Sequence, residues 1–466
     1  MKLNSDFLDD LEIKLTTLMD KGAKKLESYN EIKQWEIFGG IEQELNARIE
    51  KGSVKLIELS ELNEIMVRIF GENGKTSSFC VRKLDFNILS NYIENALKIM
   101  RSTVTNPEFK KLAEKKNAIK LIEPNWNKET ANLDIEDINP VIKDFLNQNQ
   151  KDNRIISVSG GISIADLRIR TINSNSVDVK DKSTSCEIGV EYTMEENIKG
   201  IKEYSSGSNY QVYINWNDLF KDYNFIFDYA LEQTKLGLKK TSIETKDYEV
   251  ILSPYAVNAL ICKPICSAIN AELIHQKSSF LLNKLETQIS SDILNILDNP
   301  WLENGISSGS FDVEGTPTKP LQIIKNGVLK NYLHNIYTSN IFGIESTGHA
   351  TRKSGSPIIE IKPSNILIEP GSKSYIELIE EVKDGIFFEN TYDSPNLVTG
   401  EFSGMISKGN IIKNGELKES IRQAMFGVNL LDFYRNIEAI SKDMIRKKDR
   451  YLPYIKISKI KISGNE

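Results

Sequence analysis

Residues 310–320 read SFDVEGTPTKP, with Asp312 and Glu314 two apart ahead of Gly315 and the turn pair Thr316–Pro317. In an extended strand, side chains two apart point to one face, so this spacing aims two carboxylates at one place. Such a pair can do acid–base work or hold Mg2+ or Ca2+ through oxygen. Two carboxylates alone do not close a cation cage, and a carboxylate that orders the following tight turn through backbone N–H groups is the stronger reading.

The other residues able to do chemistry are few. None of the three histidines, His275, His334 and His349, lies four or five positions from another with a neighbouring Glu, which removes the usual zinc-hydrolase signatures. His275 follows the amphipathic run SAINAELI and reads as a helix-end residue favoured by the C-terminal dipole. His349 follows Gly348, which lets backbone approach closely, but it has no second ligand nearby in sequence. The four cysteines, Cys80, Cys186, Cys262 and Cys266, are too sparse for a disulfide framework. Cys262 and Cys266 form a C-x3-C pair with no second Cys/His pair at zinc spacing, so buried thiols outweigh a metal site. No G-x-S-x-G, P-loop or G-x-G-x-x-G stands between a strand and a helix, and SVSGGIS reads as a turn.

Elements that would position these groups follow from periodicity. At 466 residues the chain implies several domains, and 40% apolar with 27% charged residues is ordinary for a folded protein. Segment 1–104 opens with a helical stripe (Phe7, Leu8, Leu11, Leu15, Leu18). It continues into a hairpin at Asn73-Gly74 and a helix marked by Phe86, Leu89, Ile93, Leu97 and Met100 behind Asp85 as N-cap. Residues 105–128 are polar and Lys-rich, with Pro107 and Pro124, as in a linker. Segment 129–242 carries an alternating pair of strands turning at Asn173-Ser174-Asn175, then a helix over NDLFKDYNFIFDYALEQTKLGLKK. Segment 243–466 is strand-rich. Its octapeptides IIKNGVLK (323–330, with Asn326 and Gly327) and IIKNGELK (411–418) read as two independent hairpins. Leu430, Phe433, Ile437, Ile440 and Met444 predict one closing helix. The fold class expected is α+β, with antiparallel sheets flanked by helices and a large strand-rich C-terminal domain.

A formal charge of −6 and the lack of a long basic block argue against nucleic acid as a ligand. The acidic, amphipathic N-terminal stretch and the lack of a run of ~18 apolar residues predict a cytoplasmic protein that does not enter membranes.

In order along the chain, YAVNALICKPICSAINAELIHQKSSFLLNKL, GSFDVEGTPTKPLQIIKNGVLKNYLHNIYTSNIFGIESTGHATR, LVTGEFSG (with Gly400) and FGVNLLDFYRNIEAI resemble the C-terminal domain of the TldD/PmbA family. FGENGKTSSFCVRKL and RTINSNSVDVKDKSTSCEIGVEYTM are similar to its first and second domains. The family resemblance implies two kinds of member. TldD-type subunits carry H-E-x-x-x-H on a helix plus a later Cys and bind the zinc of a metallopeptidase; TldE (PmbA)-type subunits pair with them and lack those ligands.

Anchored on QKSSFLL, the two His and the Glu of that motif fall on Lys263, Ala268 and Pro264. An ammonium has no lone pair and an alanine no ligand atom. Pro264 replaces the general base and, being tolerated in the first turn of a helix, predicts that the helix starts there. A one-residue slip of register would bring in Cys262 and still no histidine, and ISKDMIRKKDRYLPYIKISKIKISG offers no Cys. The resemblance therefore implies a TldE-type subunit without catalytic residues, metal or cofactor of its own. Its zinc would reside in a TldD-like partner, its substrates would be unfolded peptides, and Asp312, Glu314, Gly315, Asn326, Gly327, Gly348, His349 and Gly400 would shape turns or the substrate channel. Two rival readings stay open: a homodimeric peptide-binding scaffold without catalysis, and an independent hydrolase using Asp312, Glu314 or His349.

Overall fold

The computed structural model describes residues 1–116, 120–198, 200–238 and 240–464. Helix α1 (Ser5–Glu27) is capped by Asn4, whose side chain accepts from the Asp6 and Phe7 amides. The long strands β1 (Gln34–Glu50) and β2 (Ser53–Phe70) follow. A turn with Asn73 and Gly74 at φ 56° and 70° then leads into β3 (Thr76–Val81) and α2 (Phe86–Ser102), with Asp85 at its N-cap. After the expected linker come α3 (Ile135–Asn147), β4 (Ile155–Asn173), β5 (Asp178–Ile198), β6 (Ile201–Tyr213) and α4 (Trp216–Leu236).

These strands make one antiparallel sheet in the order β3-β2-β1-β4-β5-β6. Because β1 pairs with β4, from Glu36↔Asn173 to Ile49↔Gly160, the sheet crosses from the first expected segment into the second. The described parts of 105–128 are stitched to it; residues 117–119 of that expected linker lie outside the described residues. Phe109 stacks on Phe70 at 3.9 Å, the Leu112 amide donates to Gln34 Oε1, and Asn173 Nδ2 donates to the Ala113 carbonyl.

Alternation along β1 explains the layering. Trp35, Ile37, Ile41, Leu45, Ala47 and Ile49 share one face and are buried in two cores, one under α1 and α2, the other under α3 and α4. On the opposite face, Glu36 and Phe38 meet the C-terminal half, where Arg352 lies over the Phe38 ring.

That half is built on a mixed thirteen-stranded sheet. Strand Lys246–Leu252 runs between Arg450–Ser463, antiparallel to it, and Asp384–Asn390, parallel to it. Both octapeptides form hairpins, with Lys325 opposite Val328 and Lys413 opposite Glu416. Their Asn-Gly turns take positive φ at both positions. The architecture is α+β.

Three elements differ from the sequence reading, the first being SVSGGIS, which lies within β4, paired with β5 and in part with β1, and not in a turn. The closing helix is only Leu430–Arg435; Ile437–Lys447 is a strand paired with Arg450–Ser463. Register shifts between Ile437 and Ala439 and between Ile440 and Met444 break the strict in–out alternation, and the bulged strand therefore imitates helical spacing. The basic residues Arg446, Lys447, Lys448 and Arg450 accordingly sit at a hairpin tip.

The third difference is at Pro264. Helical backbone runs from Pro254 to Ala268 through a π-turn at Asn258–Cys262, so the helix passes Pro264 instead of starting there. A proline leaves the carbonyl four residues back without its donor. Here that carbonyl is Leu260 O, and the buried Tyr434 hydroxyl donates to it at 3.1 Å.

Candidate functional site

Ser253 ends the central strand and caps this helix, its Oγ accepting from the Tyr255 and Ala256 amides at 3.2 and 3.3 Å. The helix then carries Lys263 and Ser267, one turn apart, into the wall of a cavity of about 730 Å3. The far side is closed by Ile169 and Asp181 of the six-stranded sheet, and further walls come from the 307–318, 348–351, 361–364 and 448–450 segments. Of the residues singled out by sequence, Lys263, Asp312, Gly348 and His349 come together here. Ala268 does not; it is fully buried in the core behind the helix, and Pro264 is buried too and lies outside the cavity lining.

Asp312 and Glu314 part company. Residues 311–317 form a tight turn bridged between Phe311 and Pro317, with the Gly315 amide on the Asp312 carbonyl and Gly315 at φ 80°, so strand alternation does not apply. Asp312 Oδ1 accepts from the Glu314 and Thr316 amides and Oδ2 from the Ala350 amide, each at 3.0 Å. It thus orders its own turn and fastens it to the 348–351 segment. Burial, with the Glu314 carboxylate beside it, pushes Asp312 upward against those three donors.

Glu314 turns away into a buried ion cluster. Its Oε1 takes Arg68 Nη2 at 2.8 Å, and its Oε2 takes the Ile336 amide at 2.9 Å, at the start of helix Ile336–Phe342. The same Arg68 forks onto Glu36 at 3.2 and 2.9 Å, and Arg352 also pairs with Glu36. Burial disfavours the Glu36 charge, yet the two guanidiniums hold it below the usual carboxylate range. Two carboxylates and two guanidiniums thus rivet the six-stranded sheet to the cavity-forming segments.

His349 is buried, with Nε2 on Asp298 Oδ2 and Nδ1 2.8 Å from Thr347 Oγ1. Both ring nitrogens are engaged within the protein. Gly348, at φ 74°, would place a Cβ 2.8 Å from the Pro317 carbonyl oxygen, so only glycine lets this loop meet the Asp312 turn. Gly400 packs on Phe280, while Asn326 and Gly327 form a hairpin turn tucked against Gln288 and Ser290; none of these three lines the cavity. His275 ends helix Ala271–His275, 3.2 Å from Glu108.

Sequence reasoning missed several contributors. Arg450 lines the cavity and lays Nη1 3.1 Å from Cys262 Sγ. Arg68 and Glu36 stand directly opposite each other on β2 and β1, which no spacing in the sequence reveals. Asp298, at the base of His349, had no motif around it.

The zinc that the family resemblance implies for TldD-type subunits does not fit these residues. The helix offers an ammonium at Lys263 and no donor atom at Pro264 or Ala268, and the hairpin near the expected third ligand supplies the Arg450 guanidinium. Among the described residues no group of three or more His, Cys, Asp or Glu side chains is arranged to hold a metal ion.

Residues 245–464 match the family described as the PmbA/TldA metallopeptidase C-terminal domain. Over 411 residues the chain is 26% identical to a metalloprotease of Methanocaldococcus jannaschii, covering 85% of this chain and 86% of that protein. Over 234 residues it is 30% identical to the PmbA-homologue metalloprotease of Buchnera aphidicola, covering 50% of this chain and 49% of that one. In fold it is similar to TldE from Thermococcus kodakarensis, with a TM-score of 0.84 at 19% identity over 97% of this chain and 100% of that chain. A candidate modulator of DNA gyrase from Bacteroides thetaiotaomicron gives a TM-score of 0.86 at 22% identity over 98% and 99%. The segments that form most of the cavity thus lie in a C-terminal domain, residues 245–464, that belongs to the PmbA/TldD metallopeptidase family, and the similarity to proteins of that family extends over most of the rest of the chain.

Proposed function

We propose that this chain is a TldE (PmbA)-type subunit without catalytic residues of its own. In this reading it joins a TldD-like zinc subunit in the cytoplasm to form a peptidase acting on unfolded peptides. What supports the reading is the helix at the cavity, which brings Lys263 into the wall and on which the family resemblance, anchored on QKSSFLL, puts the zinc ligands and general base at Lys263, Ala268 and Pro264. The cavity would hold an extended peptide, with backbone pairing to exposed strand edges supplying affinity that tolerates many sequences. Asp312, Glu314 and His349 would shape that channel, each already committed to bonds within the protein.

The test is metal analysis and peptidase assay on the purified chain alone, then mixed with a TldD-like chain from the same source. Zinc and cleavage of an unfolded peptide are expected only in the mixture. Stoichiometric zinc with robust cleavage by the lone chain would overturn the proposal.

A further inference from the structure

The helix at the cavity also carries Cys262 and Cys266, one turn apart, and nothing proposed above uses them. Cys262 is fully buried, while Cys266 lines the cavity. The Cys266 thiol hydrogen-bonds to the Cys262 sulfur, and Arg450 reaches across from the hairpin tip to bring Nη1 within 3.1 Å of that same sulfur. Two donors converging on one sulfur favour its thiolate. The bond from Cys266, reinforced by the Arg450 guanidinium, brings Cys262 down to about 7, and Cys266, as donor beside that charge, is pushed well up. The other two cysteines, Cys80 and Cys186, are raised by burial.

A sulfur favoured as thiolate, a protonated partner beside it and a cavity whose wall that partner and Arg450 form are the parts of a redox pair. We propose that Cys262 and Cys266 form a peroxide-sensitive dithiol in the wall of the cavity. The Cys262 thiolate attacks one oxygen of a hydroperoxide; an S–O bond forms, the O–O bond breaks, and the peroxide is reduced to hydroxide or alkoxide. Cys266 sulfur then displaces the hydroxyl from the Cys262 sulfenic acid, forming the S–S bond, and its proton leaves with that hydroxide as water.

The backbone fits this closure. Four residues along a helix separate Cα atoms by about 6 Å, within the roughly 4.4–6.8 Å that a disulfide spans. The two Cβ atoms must still approach, so the helix has to yield, and it is weakest at this turn. Residues 258–262 are already a π-turn, and Pro264 contributes no ladder hydrogen bond. Closing the bond would shift Lys263 and Ser267 in the cavity wall and deprive Arg450 of its anionic partner. The inference is independent of the zinc question.

The experiment uses the full chain, reduced and then exposed to hydrogen peroxide at pH 7, quenched with iodoacetamide and mapped by mass spectrometry without reduction. A Cys262–Cys266 disulfide, reversed by dithiothreitol, is expected while Cys186 remains a thiol. In C266S the sulfenic acid at Cys262 should be trapped by dimedone. R450Q should slow oxidation about tenfold, one pKa unit of lost thiolate stabilisation, with R450K intermediate. Oxidation of Cys262 no faster than that of buried Cys186, or sulfinic acid forming in the wild type without the disulfide, would overturn the proposal; both readings need only the unmodified protein.

Discussion

His334 offers the sharpest pH test of the packing beside the cavity. It is buried, its Nδ1 has no hydrogen-bond partner, and Phe342 lies edge-on at 5.3 Å. Burial, with His349 nearby, pulls its imidazole down to about 4 from an ordinary 6.5. The folded chain keeps it neutral while the unfolded chain protonates it near 6.5. Between those values the unfolded state binds more protons, and stability falls as pH falls. The contribution is complete above about pH 6.5 and lost as pH drops through 4. The interval corresponds to about 3 kcal/mol in all, of which about 2.5 kcal/mol is gone by pH 4.5. Urea denaturation of the wild type and H334Q at pH 7 and pH 4.5 isolates this term, because the carboxylate titrations common to both cancel in the difference. With only three histidines in the chain, 13C-histidine NMR follows the imidazole directly. A wild-type-minus-variant difference that stays level across this range, or a His334 resonance titrating near 6.5, would refute the reasoning.

Two further outcomes are expected. Y434F removes the donor to the Leu260 carbonyl and should cost about 1–3 kcal/mol. P264A supplies a backbone N–H to that carbonyl, so the same change in a P264A background should cost measurably less, and equal costs in a double-mutant cycle would separate Tyr434 from the proline. E36Q leaves Arg352 and part of Arg68 without a counter-charge in a buried site and should destabilise by about 3–5 kcal/mol in denaturant titrations; a loss below about 1 kcal/mol would mean that the cluster is not a rivet between the two halves.

What the sequence reveals tracks how local its determinants are. The turns at Asn73-Gly74, Asn326-Gly327 and Asn414-Gly415 are legible because positive φ at two successive positions selects those residue types directly. Helix α2 is legible from Asp85 and its apolar stripe. The strand Ile437–Lys447 is not, since bulges give it the spacing of a helix. The same limit applies to the site. Lys263, Asp312 and His349 were found from motifs, but the Glu36–Arg68–Glu314–Arg352 cluster depends on the register of β1 against β2 and on a segment nearly 300 residues further on. No spacing ties Arg450 to Cys262, because the contact depends on the hairpin that joins Ile437–Lys447 to Arg450–Ser463.

The neighbours of strand Lys246–Leu252 also bear on how the chain assembles. One of its partners, Arg450–Ser463, lies roughly 200 residues further along. During synthesis the central strand therefore waits, with an apolar face and unpaired amides, until that partner has been made. Such high contact order slows folding and leaves an exposed edge in the partly made chain. Truncations that remove the last strand should consequently yield insoluble protein and not a smaller folded unit.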